Sequence, residues 1–228
     1  MIARDEIKRL CNAPGDGKAY FRPFICKGDL SKADIFLVGT NPATPIYPHD
    51  INLDEYVDLL FDYDRFIEYY KKSRILKGKS EISRTRVGMN SFINWLACKS
   101  SSSVIETDAI PYPTEKLKML WKEPDSIVEA GKEVFYKLLL TFKPRLLILH
   151  GKETTEQIFE LLLSKGLIQS SLVSCEQTIE EMESKVPLMS FKYPNETIGV
   201  ITACRHFMYY GSTGNSYSEF RNNIGKLL

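Results

Sequence analysis

At 228 residues the chain can bury one good core and offers no case for a second, so a single domain over 1–228 is expected. Its 43% apolar and 26% charged residues are ordinary proportions for a soluble protein, and no apolar run is long enough to span a bilayer. A net charge of +1 excludes a global field that draws the chain onto nucleic acid, so any such binding must come from local clusters.

The opening Met-Ile-Ala-Arg-Asp-Glu lacks the apolar core of a signal peptide, and a cytoplasmic location is expected. The five cysteines, at 11, 26, 98, 175 and 204, are widely spaced without a Cys-x-x-Cys pair, which reads as free thiols in a reducing compartment. Residues 5–10 form a short helix pattern, and the turn-rich stretch up to Pro23 leads the chain to a sheet edge. Ile35, Phe36, Leu37 and Val38 then make a continuous apolar run of the kind buried on both faces of a parallel sheet. Gly39 ends that strand and releases Thr40, Asn41 and Pro42. Because Pro42 keeps Asn41 out of the helical region, a stiff loop presents the amide at a strand's carboxyl end, where open α/β sheets bind ligands.

Residues 43–50 form a loop carrying Ala43, Tyr47 and His49, and 52–72 read as one long helix with Asn52 and Glu55 at capping spacing. Residues 71–86 hold Lys71, Lys72, Arg74, Lys77, Lys79, Arg84 and Arg86 against one acid, Glu81. This flexible basic connector either neutralises phosphates or is a solvated surface. A helix begins at 88–96 with Phe92, Trp95 and Leu96 on its apolar face, and 104–110 read as a second strand with Asp108 near its end, as a turn cap or a pocket residue.

Ser126 and Glu129 stand at capping-box spacing before a scaffold helix that Pro144 ends. Strand 145–150, the glycine turn at 151 and helix 153–163 complete a βαβ unit, which brings His150 and Lys152 to the same sheet end. Residues 188–193 read as a hairpin arm and 197–202 as a fourth apolar strand, ending at Ala203-Cys204-Arg205-His206-Phe207. A Ser216/Glu219 capping box opens a terminal helix over 216–228.

The run Gly39-Thr40-Asn41-Pro42-Ala43 resembles the first motif of the uracil-DNA glycosylase superfamily, closest to the Gly-x-Asn-Pro-Gly version of its mismatch-specific branch. Arg22-Pro23-Phe24 is similar to the superfamily's lead-in, and 88–96 to its Asn-x-Phe-Trp helix with the tryptophan shifted along. His206 sits in the place of the His-Pro-Ser-like second motif, with Phe207 for proline and Met208-Tyr209-Tyr210-Gly211 for the usual continuation. The resemblance implies an α/β fold, a three-layer α/β/α sandwich on a central, mainly parallel four-stranded sheet. It also implies a DNA glycosylase that hydrolyses the N-glycosidic bond of uracil or a related damaged base in single- or double-stranded DNA. A monomer without metal or cofactor is expected.

In that reading Asn41 orients the water and His206 donates to the departing base, while Thr40, Ala43, Tyr47 and Asp108 surround the base. Tyr47 either stacks on it or merely covers the loop. DNA contacts fall to Lys71, Lys72, Arg74, Arg84, Arg86, Arg205, Tyr209 and Tyr210, the tyrosines as a wedge. Asp108 stands where some branches use an asparagine to read uracil. An ionised aspartate only accepts hydrogen bonds, which disfavours plain uracil and admits a base with two donors, or requires a protonated carboxyl. Two other readings stay open: a non-catalytic binding module of the same fold, and a hydrolase acting on nucleotides or nucleosides.

Overall fold

The computed structural model describes residues 2–169 and 177–228, so Cys175 lies outside the described residues. The elements run α1 (Arg4–Cys11), β1 (Ile25–Lys27), β2 (Ala33–Gly39), α2 (Leu53–Phe61), α3 (Tyr63–Leu76), α4 (Arg84–Ala97) and β3 (Ser103–Asp108). After these come α5 (Leu117–Leu120), α6 (Asp125–Phe142), β4 (Leu146–His150), α7 (Lys152–Ser164), α8 (Ile179–Ser184), β5 (Met189–Lys192), β6 (Ile198–Cys204) and α9 (Ser218–Ile224).

One mixed six-stranded sheet, in the order β1-β3-β2-β4-β6-β5, organises the chain. Neighbours among β3, β2, β4 and β6 pair in parallel, whereas β1 and β5 join the two edges antiparallel. The sheet is therefore two strands wider than the four expected. The 188–193 arm supplies β5. The three residues of β1 are too few to show a strand period, and their backbone pairing to β3 makes the strand.

The continuous apolar runs are explained by packing on both faces. Ile35 and Leu37 point to one side with Val104, Leu146, Ile148 and Cys204, beneath Met89, Phe92 and Leu96 of α4 and Phe220 of α9. Phe36 and Val38 point to the other side with Ile105, Leu147 and Ile201, beneath Tyr56, Phe66, Phe135 and Ile158 of α2, α3, α6 and α7. All four side chains of β2 from 35 to 38 are fully buried, as a strand covered on both faces requires.

Helix boundaries differ from the sequence expectations at places with local causes. The 52–72 segment is two helices: Asp62 leaves the helical region, and its side chain accepts from the Arg65 N–H to cap α3. The basic 71–86 stretch is no flexible connector. It comprises the end of α3, a short turn and the start of α4, which Ser83 caps. The expected Ser126 capping box is absent because Pro124 starts α6 at Asp125, leaving Ser126 inside the first turn. That at Ser216 is absent because its hydroxyl donates to the Tyr209 carbonyl, and α9 begins at Ser218. A capping box does form at Thr178 and Glu181 of α8, where the sequence showed only acidity.

Among the described residues no helix is long and apolar enough to cross a membrane. Cys11, Cys26, Cys98 and Cys204 are free thiols.

Candidate active site

The carboxyl ends of β2, β3 and β4 open beneath the first turns of α4, leaving a cavity of about 440 Å³, within the size range of small-ligand sites. The loop after β2 forms one wall. It is zipped to the segment after β3 by Ala109 N–H to Gly39 O (2.8 Å), Ile110 N–H to Thr40 O (3.0 Å) and Thr114 N–H to Pro42 O (3.0 Å). Asn41 Nδ2 donates to Thr114 Oγ1 at 2.8 Å and to the Tyr112 carbonyl at 3.3 Å. With its amide nitrogen so held, Asn41 has Oδ1 as its remaining hydrogen-bonding atom, an acceptor at the cavity wall. Thr40 also lines the cavity and shares a 2.8 Å hydrogen bond with Thr154 of α7, and Ala43 lies exposed at the rim.

β3 lines the cavity with two carboxylates. Successive strand side chains alternate faces, so Glu106 and Asp108 share the face covered by α4. Gly39 of β2 pairs in register with Asp108, and a Cβ on it would sit 2.5 Å from Asp108 Oδ1 and 3.0 Å from His150 Nε2. Only glycine lets those two side chains converge over the strand end. Asp108 is half-buried and accepts no hydrogen bond among the described residues. Burial pushes its carboxyl up to about 6, reinforced by Glu106 and opposed by Arg22 and Arg86.

Glu106, 5% exposed, takes a charge-assisted hydrogen bond from Arg86 Nη1 of α4 at 2.5 Å on Oε2, while its Oε1 is buried without a partner. Breaking such a pair would strand a buried charge, so the pair holds α4 over the cavity. Gly88 allows that approach on the other flank: a Cβ there would come within 2.1 Å of the Phe207 carbonyl.

Two histidines complete the site. His206 follows β6, and its Nδ1 accepts from the Met208 N–H at 3.3 Å, which leaves the proton of the neutral ring on Nε2 as a donor. Burial lowers its pKa from the usual 6.5, favouring that neutral form at pH 7. His150 ends β4 with its ring 5.0 Å from that of His206, and its Nδ1 is buried and unpartnered. Burial first, then the charges of His206 and Arg86, hold it well below 6.5.

The structure brings Thr40, Asn41, Ala43, Asp108, Arg74, Arg86 and His206 to this one cavity. Tyr47 is elsewhere: it does not line the cavity, and its ring stacks on His49 at 5.2 Å. Three of the expected DNA contacts are committed to partners within the fold. Arg86 is 7% exposed and committed to Glu106. Arg205 is held by both oxygens of Glu183 and by the Ser216 carbonyl, and it lies over the Tyr217 ring. Tyr210 is 2% exposed among Phe92, Phe207 and Tyr217. Lys71 and Lys72 pair with Glu81 and Glu68 in exposed bridges, which are weak and readily exchanged. Arg74 binds the Ser80 carbonyl, Arg84 is exposed, and Tyr209 is 62% exposed.

Sequence reasoning passed over Glu106 and the pocket role of Arg22. The available signal for Glu106 was a charge in an otherwise apolar interior strand, two residues from Asp108 and therefore on its face. Among the described residues no group of three His, Cys, Asp or Glu side chains could hold a metal ion. Neither a family model nor a curated protein matches the chain.

Proposed function

We propose that this chain is a divergent, three-layer α/β/α member of the uracil-DNA glycosylase superfamily that hydrolyses the N-glycosidic bond of uracil or a related damaged base in DNA. The observation that carries this reading is the meeting of Asn41 and His206, 165 positions apart, at the wall of one cavity. Bond cleavage makes the sugar oxocarbenium-like and builds negative charge on the departing base, so a preorganised donor at the base oxygen is the main requirement. His206 Nε2–H supplies that donor. Asn41 Oδ1 accepts from a water and orients it, although an amide is no general base. An extruded base reaches the cavity after flipping, and the exposed Met208 and Tyr209, which follow His206 in the chain, supply the wedge.

A second reading, a hydrolase of free nucleosides or nucleotides, draws on the burial of Arg86 and Tyr210 and the commitment of Arg205 to Glu183. Oligonucleotides bearing single uracil, hypoxanthine or xanthine residues, incubated with the protein and then cleaved with alkali at abasic sites, separate the two. Breaks that fall about 100-fold or more in Asn41→Ala and His206→Ala variants support the glycosylase. Base release from nucleosides alone supports the second reading, and release from neither overturns both.

A further inference from the structure

Glu106 belongs to the cavity wall, and its Oε1 is a buried carboxylate oxygen without a partner; such an atom costs free energy unless something donates to it. Its neighbour on one side is the Arg86 guanidinium, of a residue that also lines the cavity, which uses one N–H on Glu106 Oε2 and carries further donors. On the other side, one pleat up the same strand face, stands the Asp108 carboxyl, also without a hydrogen bond among the described residues. The wall thus reads donor, acceptor, acceptor. We propose that the cavity recognises a 2-amino-6-oxopurine edge, that of guanine and guanine-derived lesions, in preference to uracil. The assignment rests on the reading of this cavity as a base pocket.

The complementarity is specific. The guanine edge presents the O6 acceptor, then the N1–H and N2–H donors, in the order that matches Arg86, Glu106 and Asp108. Uracil presents acceptor, donor, acceptor, so its third group meets the lone pairs of Asp108. Hypoxanthine matches the first two groups and lacks the amino group. Replacing Asp108 by asparagine supplies an N–H at the third position and admits uracil.

The test is calorimetric titration of the purified protein at pH 7.5 with guanosine, inosine and uridine, repeated with Asp108→Asn. Guanosine is expected to bind about 10- to 100-fold more tightly than inosine, the worth of a hydrogen bond to a charged group, and uridine more weakly still. In Asp108→Asn the guanosine advantage narrows, because a neutral carbonyl replaces the charged acceptor, and uridine gains. Glu106→Gln should weaken all three nucleosides, provided a thermal scan reports a cooperative fold. Equal binding of guanosine and inosine, or tightest binding of uridine by the wild type, overturns the proposal, as does absence of binding by all three. Oligonucleotide assays with uracil and with oxidised guanine run beside it. Release of uracil without guanosine preference sinks this inference and leaves the glycosylase, whereas guanosine preference without base release does the reverse.

Discussion

Replacing Asp108 by asparagine is expected to stabilise the protein, and to do so increasingly as pH rises. Burial raises this carboxyl from 3.8 to about 6, so the folded state binds its proton more tightly than the unfolded chain does. Stability therefore falls as pH rises from about 4 to about 6 and stays reduced above, by about 3 kcal/mol at pH 8. His150 and His206 act with the opposite sign: both are lowered below 6.5, so their contribution is present above that value and lost as pH falls. They are common to both proteins and cancel in the difference. The advantage of the asparagine variant should then grow from about 1.5 kcal/mol at pH 5 to about 3 kcal/mol at pH 8, or roughly 6–12 °C in Tm at the higher pH. Urea unfolding of both proteins at the two pH values measures it. An advantage that does not change between pH 5 and pH 8, or a variant less stable than wild type at pH 8, refutes the argument that Asp108 sits desolvated and unpaired at the strand end.

Gly39→Ala places a methyl group 2.5 Å from Asp108 Oδ1 and 3.0 Å from His150 Nε2, so both side chains must move. About 1–3 kcal/mol of stability should be lost in chemical denaturation, with base release or nucleoside binding falling more steeply than stability. The basic residues should divide by burial: Arg84→Ala is expected to weaken salt-sensitive retention of DNA while leaving Tm unchanged, because the side chain is exposed. Arg205→Ala should do the opposite, lowering Tm by stranding Glu183, with no change in the salt slope of DNA binding.

The sequence by itself determined the parallel core and the loop that matters in it. Four apolar residues in a row at 35–38 demanded a strand covered on both faces, and Asn41 before Pro42 demanded a stiff polar loop at its end, because both constraints act within a few residues. The break at Asp62 was less legible, since helical spacing continues through it while its extended backbone and the capping bond to Arg65 make two helices. Tertiary structure alone decided which charges are pocket and which are surface. Arg86 and Arg84 are alike in the sequence, but one helical face turns Arg86 onto Glu106, 20 residues away, and leaves Arg84 in water. Arg205 likewise found Glu183 across 22 residues, and Gly39 became indispensable only when strand pairing set Asp108 and His150 on either side of it. Local propensity carries no information about partners that far along the chain, so the chemistry of this cavity was fixed by packing.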